Sequence, residues 1–144
     1  MAFRGHYEHS LDAKHRLSIP ARFRAAFSSG LVLGRDTDAC LAAWTPDVHE
    51  ATLALALEGK NPLGADYKRT QRFFNSYSFE TELDSAGRVI LPATLREHAR
   101  IDRDVVVAGV GDHLEIWAGD RWEAEQSALD GTIGEVTEAL GDHP

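Results

Sequence analysis

With 144 residues and 15.8 kDa, 43% hydrophobic and 26% charged, the chain fits one domain or two half-domains sharing a core, because either half alone would bury too little apolar surface. The single Cys40 excludes an intrachain disulfide, and no stretch approaches the ~18 apolar residues that would suggest a membrane span. The net charge of −8 argues at first sight against a polyanion as partner, but it is unevenly spread. Residues 1–30 hold Arg4, Lys14, Arg16, Arg22 and Arg24 against Glu8 and Asp12, whereas residues 112–144 are crowded with Asp and Glu and hold Arg121 alone.

Phe3 to Ser10 reads as a strand, entering a tight turn at Asp12 with Lys14 and His15 at its tip. Arg16 to Ile19 alternates, so Arg16 and Ser18 share one face and Leu17 and Ile19 the other. Pro20 suits the first position of a short helix, in which Phe23, Ala26 and Phe27 follow helical spacing until Ser28-Ser29-Gly30. Leu31–Leu33 and Cys40–Trp44 read as strands around a turn at Asp36 to Asp38. Thr45 then caps a helix running to Leu57.

A helix over Tyr67 to Phe74 links this half to the next. Ser78–Leu83 is a strand, Asp84 to Gly87 a turn, Arg88–Leu91 a strand and Pro92–Ala99 a helix; Val105–Val107 and Leu114–Trp117 supply later strands. Asp120 is placed to cap a helix through Leu129. Thr132 and Glu135 have capping-box spacing before a last, acidic helix with Ile133, Val136 and Leu140 on one side.

Leu11 to Arg24 recurs as Leu83 to Arg96 without a gap: Asp12 matches Asp84, Arg16 matches Arg88, Pro20 matches Pro92 and Arg24 matches Arg96, all 72 residues apart. Two copies are too few for a solenoid, which needs about three or more. They read as one turn-strand-helix module used twice, with Trp44 equivalent to Trp117.

These paired stretches, with Phe3-Arg4-Gly5 at the start and Val106-Val107-Ala108-Gly109 followed by Leu114-Glu115-Ile116-Trp117, resemble the MraZ family of bacterial transcriptional regulators, built from two AbrB-type modules. The resemblance covers nearly the whole chain. It implies an α+β fold of tandem AbrB/MazE/MraZ-like half-modules, a short-stranded mixed or barrel-like sheet of double-split barrel type with helices outside. The division expected is a first module at 3–50, linking helices at 51–77, a second module at 78–120 and an acidic helical segment at 121–144. The resemblance also implies a ring-like homo-oligomer that binds short repeats in double-stranded DNA upstream of the division and cell-wall gene cluster, in the cytoplasm at the nucleoid. In the family pattern Gly stands where this chain has His15, as Gly87 does in the second turn. Gly serves a position of positive φ, which His adopts at modest cost.

Lys14 and Arg16 are the sharpest candidates for DNA contact, since a cation pair at a turn reaches phosphates and Arg can fork onto guanine. The alternative for Arg16 is an ion pair with Asp12 that holds the turn. Arg4, Arg22 and Arg24 complete the cluster, although Arg22 and Arg24 lie two apart on a short helix and point in different directions. Arg88 has the uncharged neighbours Ser85, Ala86 and Gly87. The first turn is therefore expected to supply most of the phosphate attraction, with Asp12, His15, Asp84, Gly87 and Arg88 serving turn structure or oligomer contact. His6 and His9 point to opposite faces of a strand and complete no metal-ligand spacing. Ser10, Asp12 and His9 cannot converge as a catalytic triad, and no phosphate-binding glycine fingerprint occurs, so neither catalysis nor a metal or cofactor is expected. The acidic end reads first as a solvated helix face; the sharper alternatives are that it keeps DNA off one side of an assembly or packs on a neighbour's basic surface. A second reading of the chain is a protein-interaction or antitoxin-like module without direct DNA readout.

Overall fold

Each half contributes four strands of three to six residues, and four of the six ladders among the described residues join a strand of one half to a strand of the other. The computed structural model describes residues 2–141, with side chains through 139. In chain order the elements are β1 His6–Ser10, β2 Arg16–Ser18, α1 Ala21–Arg24 continuing as a 3-10 turn Ala25–Phe27, β3 Leu31–Arg35, β4 Leu41–Trp44, α2 Pro46–Leu57 and α3 Ala65–Ser76. There follow β5 Ser78–Thr81, β6 Arg88–Ile90, α4 Ala93–Ala99, β7 Asp104–Gly109, β8 Leu114–Ala118 and α5 Gly119–Gly141. One sheet has the order β1-β7-β8-β4-β3-β5 and a second is the ribbon β2-β6. Every ladder among the described residues is antiparallel, which narrows the mixed or barrel-like expectation to an antiparallel architecture. The fold is α+β, built of tandem halves.

The halves are strand-swapped about an approximate two-fold axis. β1 of the first half pairs with β7 of the second, and β5 of the second with β3 of the first. At the ribbon, Leu17 stands opposite Val89; Ile19 N donates to Gly87 O and Leu91 N to His15 O, both at 3.0 Å. These two bonds exchange under the 72-residue offset. Trp44 opposite Val32 and Trp117 opposite Val106 likewise occupy equivalent places in the β3–β4 and β7–β8 hairpins.

Alternation along the strands builds the core. Leu31 and Leu33 enter the same buried cluster as Leu17, Ile19, Val89, Leu91, Val107 and Ile116, so residues of both halves fill it together. Side chains of this size contribute about 1.5–3 kcal/mol each when fully buried, so the shared cluster couples the two halves. On the opposite sheet face Val32, Ala42 and Trp44 form a smaller cluster with Val48 of α2. His49 is buried there and its Nε2 lies 3.1 Å from Phe74 O; the carbonyl can only accept, so a protonated Nε2 donates and ties α2 to α3.

Four expectations change. Thr45 stands at the N-cap of α2 without a side-chain cap bond, and Asp120 lies inside α5, which begins at Gly119. Pro20 and Pro92 stand one residue earlier than the first helical position, as cap residues with extended ψ of 134° and 149°, and their carbonyls receive the first turns' N–H groups from Phe23 and Leu95. The C-terminal pair of helices is one helix, α5, unbroken through Gly131 and Gly134. Thr132 caps nothing: its hydroxyl donates back to Ala128 O, as Thr137 does to Ile133 O, a bond available to Thr inside a helix. The side chain of Leu140 lies outside the described residues.

Candidate nucleic-acid interface

Both turns are organised by one aspartate. Asp12 Oδ1 accepts the Lys14 and Arg16 N–H groups at 2.9 and 3.0 Å, and Oδ2 accepts Arg16 Nε at 2.6 Å. Asp84 repeats the pattern with Ala86 N, Arg88 N and Arg88 Nε, each at 2.9 Å. The Arg16 N–H leads in holding the Asp12 carboxyl down at about 2, with the Arg16 side chain and Lys14 N–H adding to it; the Arg88 N–H leads in lowering the Asp84 carboxyl. The carboxylates are thus ionised at neutral pH. The tip residues His15 and Gly87 have φ of +60° and +75°, so His15 takes the left-handed conformation its position requires.

The turns precede antiparallel strands and therefore flank opposite ends of the ribbon. Leu17 and Val89 point into the core, while Arg16, Ser18, Arg88 and Ile90 occupy the other face, with Arg16 opposite Ile90 and Ser18 opposite Arg88. Each aspartate engages the Nε of its arginine, leaving the outer guanidinium nitrogens to bond elsewhere. The ion pair and an outward-directed guanidinium are compatible: the carboxylate positions the fork. Lys14 is exposed and takes part in none of the salt bridges among the described residues.

The remaining basic residues are dispersed. Arg4 is exposed two residues before β1, while Lys14 follows the strand's far end, a separation of roughly 20 Å along the extended chain. Arg22 donates from Nη1 to Tyr7 Oη at 2.7 Å. Arg24 donates from Nε to Ile19 O at 2.9 Å and lies directly over Gly87, so closely that a β-carbon there would collide with the guanidinium. Arg24 thus sits at the second turn rather than the first, beside Glu82 and Asp84. Its equivalent, Arg96, donates to Leu91 O at 3.0 Å, and Leu91 N is bonded to His15 O. The strand exchange therefore brings Arg96 to the first turn. Sequence reasoning left Arg96 out of the candidate set; its match to Arg24 at the constant offset was the available signal.

One further group of titratable side chains gathers at the β3–β4 turn, away from the ribbon. Among the described residues, Asp36, Cys40 and Glu115 have donor atoms within 4.8 Å of one another and could hold a metal ion; His6, His9 and His15 are not part of this set. Burial first, then Glu115, Asp36 and Asp38, push the Cys40 thiol up, and burial raises Glu115 despite the 3.0 Å bond it accepts from Trp117 Nε1. The protein environment thus favours the protonated thiol.

The architecture defines a class: α+β proteins made of two tandem, strand-exchanged half-modules, each opening on an Asp-organised turn with an outward Arg. The family model described as MraZ protein matches residues 2–72 and 76–132, and the chain belongs to the MraZ family. It is 37% identical over 140 residues to the Transcriptional regulator MraZ of Lactiplantibacillus plantarum, covering 97% of this chain and 99% of the relative. It is 38% identical over 140 residues to that of Pelotomaculum thermopropionicum, covering 97% and 96%, and 39% identical over 141 residues to that of Roseiflexus castenholzii, covering 97% of each. The relatives are named as transcriptional regulators, not as enzymes.

Proposed function

We propose that this protein is a sequence-specific DNA-binding transcriptional regulator that acts as a homo-oligomer on short direct repeats upstream of the division and cell-wall gene cluster, its own operon included. The observation that carries this reading is the Asp12 turn, which fixes Arg16 while leaving Lys14 free to project. The relatives' name supports the regulatory role. In this reading Lys14 and the outer nitrogens of Arg16 contact phosphates, Arg16 alone is able to fork onto a base edge, and Arg4, Arg22 and Arg24 add long-range attraction. Arg96 joins the first turn's basic surface. The second turn, without a lysine, keeps a mainly structural or subunit-contact role.

A few cations on one turn bind DNA weakly. Several linked subunits engaging successive repeats raise affinity through effective concentration, which is why a ring-like assembly suits this site. Such a protein works at the nucleoid, in the cytoplasm. The modules proposed are 3–50 and 78–120, joined by 51–77 and followed by the acidic segment from 121. The test is fluorescence anisotropy on DNA from upstream of the gene, beside a shuffled duplex of equal length and composition. Preference for the natural duplex is expected. Equal binding to both refutes sequence specificity, and binding to neither at low salt favours a protein partner instead.

A further inference from the structure

The C-terminal helix has half its length packed against nothing. α5 spans 23 residues, about 35 Å at 1.5 Å per residue. Its first turns lie on β7 and β8, where the Trp122 ring sits 6.2 Å from Trp117 and 5.5 Å from His6. From 123 to 139 every side chain is exposed except the half-buried Gln126. Leu129, Ile133 and Val136 remain 51%, 46% and 52% exposed, and their spacing of four and three residues places them on one face. Asp130 and Glu135 flank that face on its two sides, Glu138 lies on the opposite side of the helix, and no Lys or Arg follows Arg121.

A helix with these properties calls for a partner. Gly131 and Gly134 are poor helix formers, and nothing lies within 4 Å of where their β-carbons would be. Short isolated helices are marginal in water, and helices in proteins persist chiefly by packing an apolar face.

A matching surface stands elsewhere on the same chain. Leu55, at the end of α2, is 71% exposed, and Leu63, in the connection to α3, is 82% exposed. Lys60, Lys68, Arg69 and Arg72 are exposed on this connection and on α3, against Glu58 and Asp66; Lys68 and Arg72, four apart, share a face of α3. One patch is apolar and acidic, the other apolar and basic.

We propose that the Leu129–Ile133–Val136 face of α5 in one protomer docks on the α2–α3 surface of a second copy, its acidic flanks meeting Lys68 and Arg72. The inference rests on the homo-oligomer reading above and names its interface. Every protomer offers one patch and accepts one: exchanged reciprocally the contacts make a two-fold dimer, and passed on from protomer to protomer they make a ring where the rotation closes.

The mass of the full-length protein, measured by sedimentation over a range of concentrations, tests this. The variants Leu129→Asp/Ile133→Asp and Lys68→Glu/Arg72→Glu change exposed side chains only. Each alone should raise the concentration needed for assembly by about tenfold or more. Mixed together they should form a two-chain species, since each retains one competent patch. Adding Asp130→Lys/Glu135→Lys to the α3 variant should restore assembly. An unchanged oligomer in either variant overturns the proposal, and dispersal by the α5 variant alone assigns that helix to another occupant. A wild-type chain that is monomeric at every concentration removes the homo-oligomer reading itself, a result distinct from both.

Discussion

Gly87→Ala is the substitution on which the strand-exchanged geometry makes its most specific demand. The position has φ of +75°, which costs an L-residue about 1 kcal/mol, and the new methyl group would meet the Arg24 guanidinium. Arg24 must then release its bond to Ile19 O. A hydrogen bond from a charged donor contributes about 1.5–3 kcal/mol when buried, and about 1 kcal/mol is appropriate at this partly exposed site. The sum is about 2 kcal/mol, or a melting temperature roughly 6–8 °C lower for a chain of this length. Arg24→Ala alone should cost about 1 kcal/mol, and the double variant only about 2 kcal/mol, because the collision is already gone. Urea denaturation of the four proteins closes the cycle. Additivity within about 0.5 kcal/mol would refute the idea that Arg24 of one half covers the turn of the other.

Other consequences are open to direct measurement. His15→Gly relieves a positive φ of +60° and should stabilise the protein by about 0.5 kcal/mol after the added freedom of the unfolded chain is counted; a lowered melting temperature would show that the imidazole makes a compensating contact. Burial raises the Glu115 carboxyl above 4.5, so its contribution is fully present below pH 4.5 and is lost as pH rises through the folded-state value. Glu115→Gln, which keeps an acceptor for Trp117, should therefore be more stable than wild type at pH 7 and lose that advantage toward pH 4, and melting curves with no pH-dependent difference would contradict this. The Cys40 thiol, fully buried and pushed toward its protonated form by burial and nearby carboxylates, should resist alkylation in native protein and react in urea; rapid native labelling would show that the β3–β4 turn opens in the folded protein.

The turns were legible in the sequence because their chemistry is local: Asp12 reaches no farther than Arg16, and an Asp followed four residues later by Arg records that contact directly. Alternation likewise separated Leu17 and Ile19 from Arg16 and Ser18. Partner choice among strands was not legible, since β1 carries the same alternation whether it joins its own half or the other. That hidden step decides the site. It moves Arg24 to the second turn and brings Arg96 to the first, so each turn takes an arginine from the other half. The continuity of α5 was misread for the opposite reason, because Gly131, Thr132 and Gly134 are local stop or start signals, yet Thr132 bonds back into the helix.

The central claim is that a carboxylate-braced turn presents Lys14 and Arg16 to a polyanion, and the salt dependence of DNA binding tests it most directly. The slope of log K against log salt should fall by about 0.9 for every phosphate contact removed. In Lys14→Ala/Arg16→Ala, with circular dichroism and subunit mass unchanged, affinity for the upstream DNA should collapse and the slope should flatten by roughly 0.9–1.8 per engaged subunit. A double variant that keeps the wild-type affinity and slope would contradict the account.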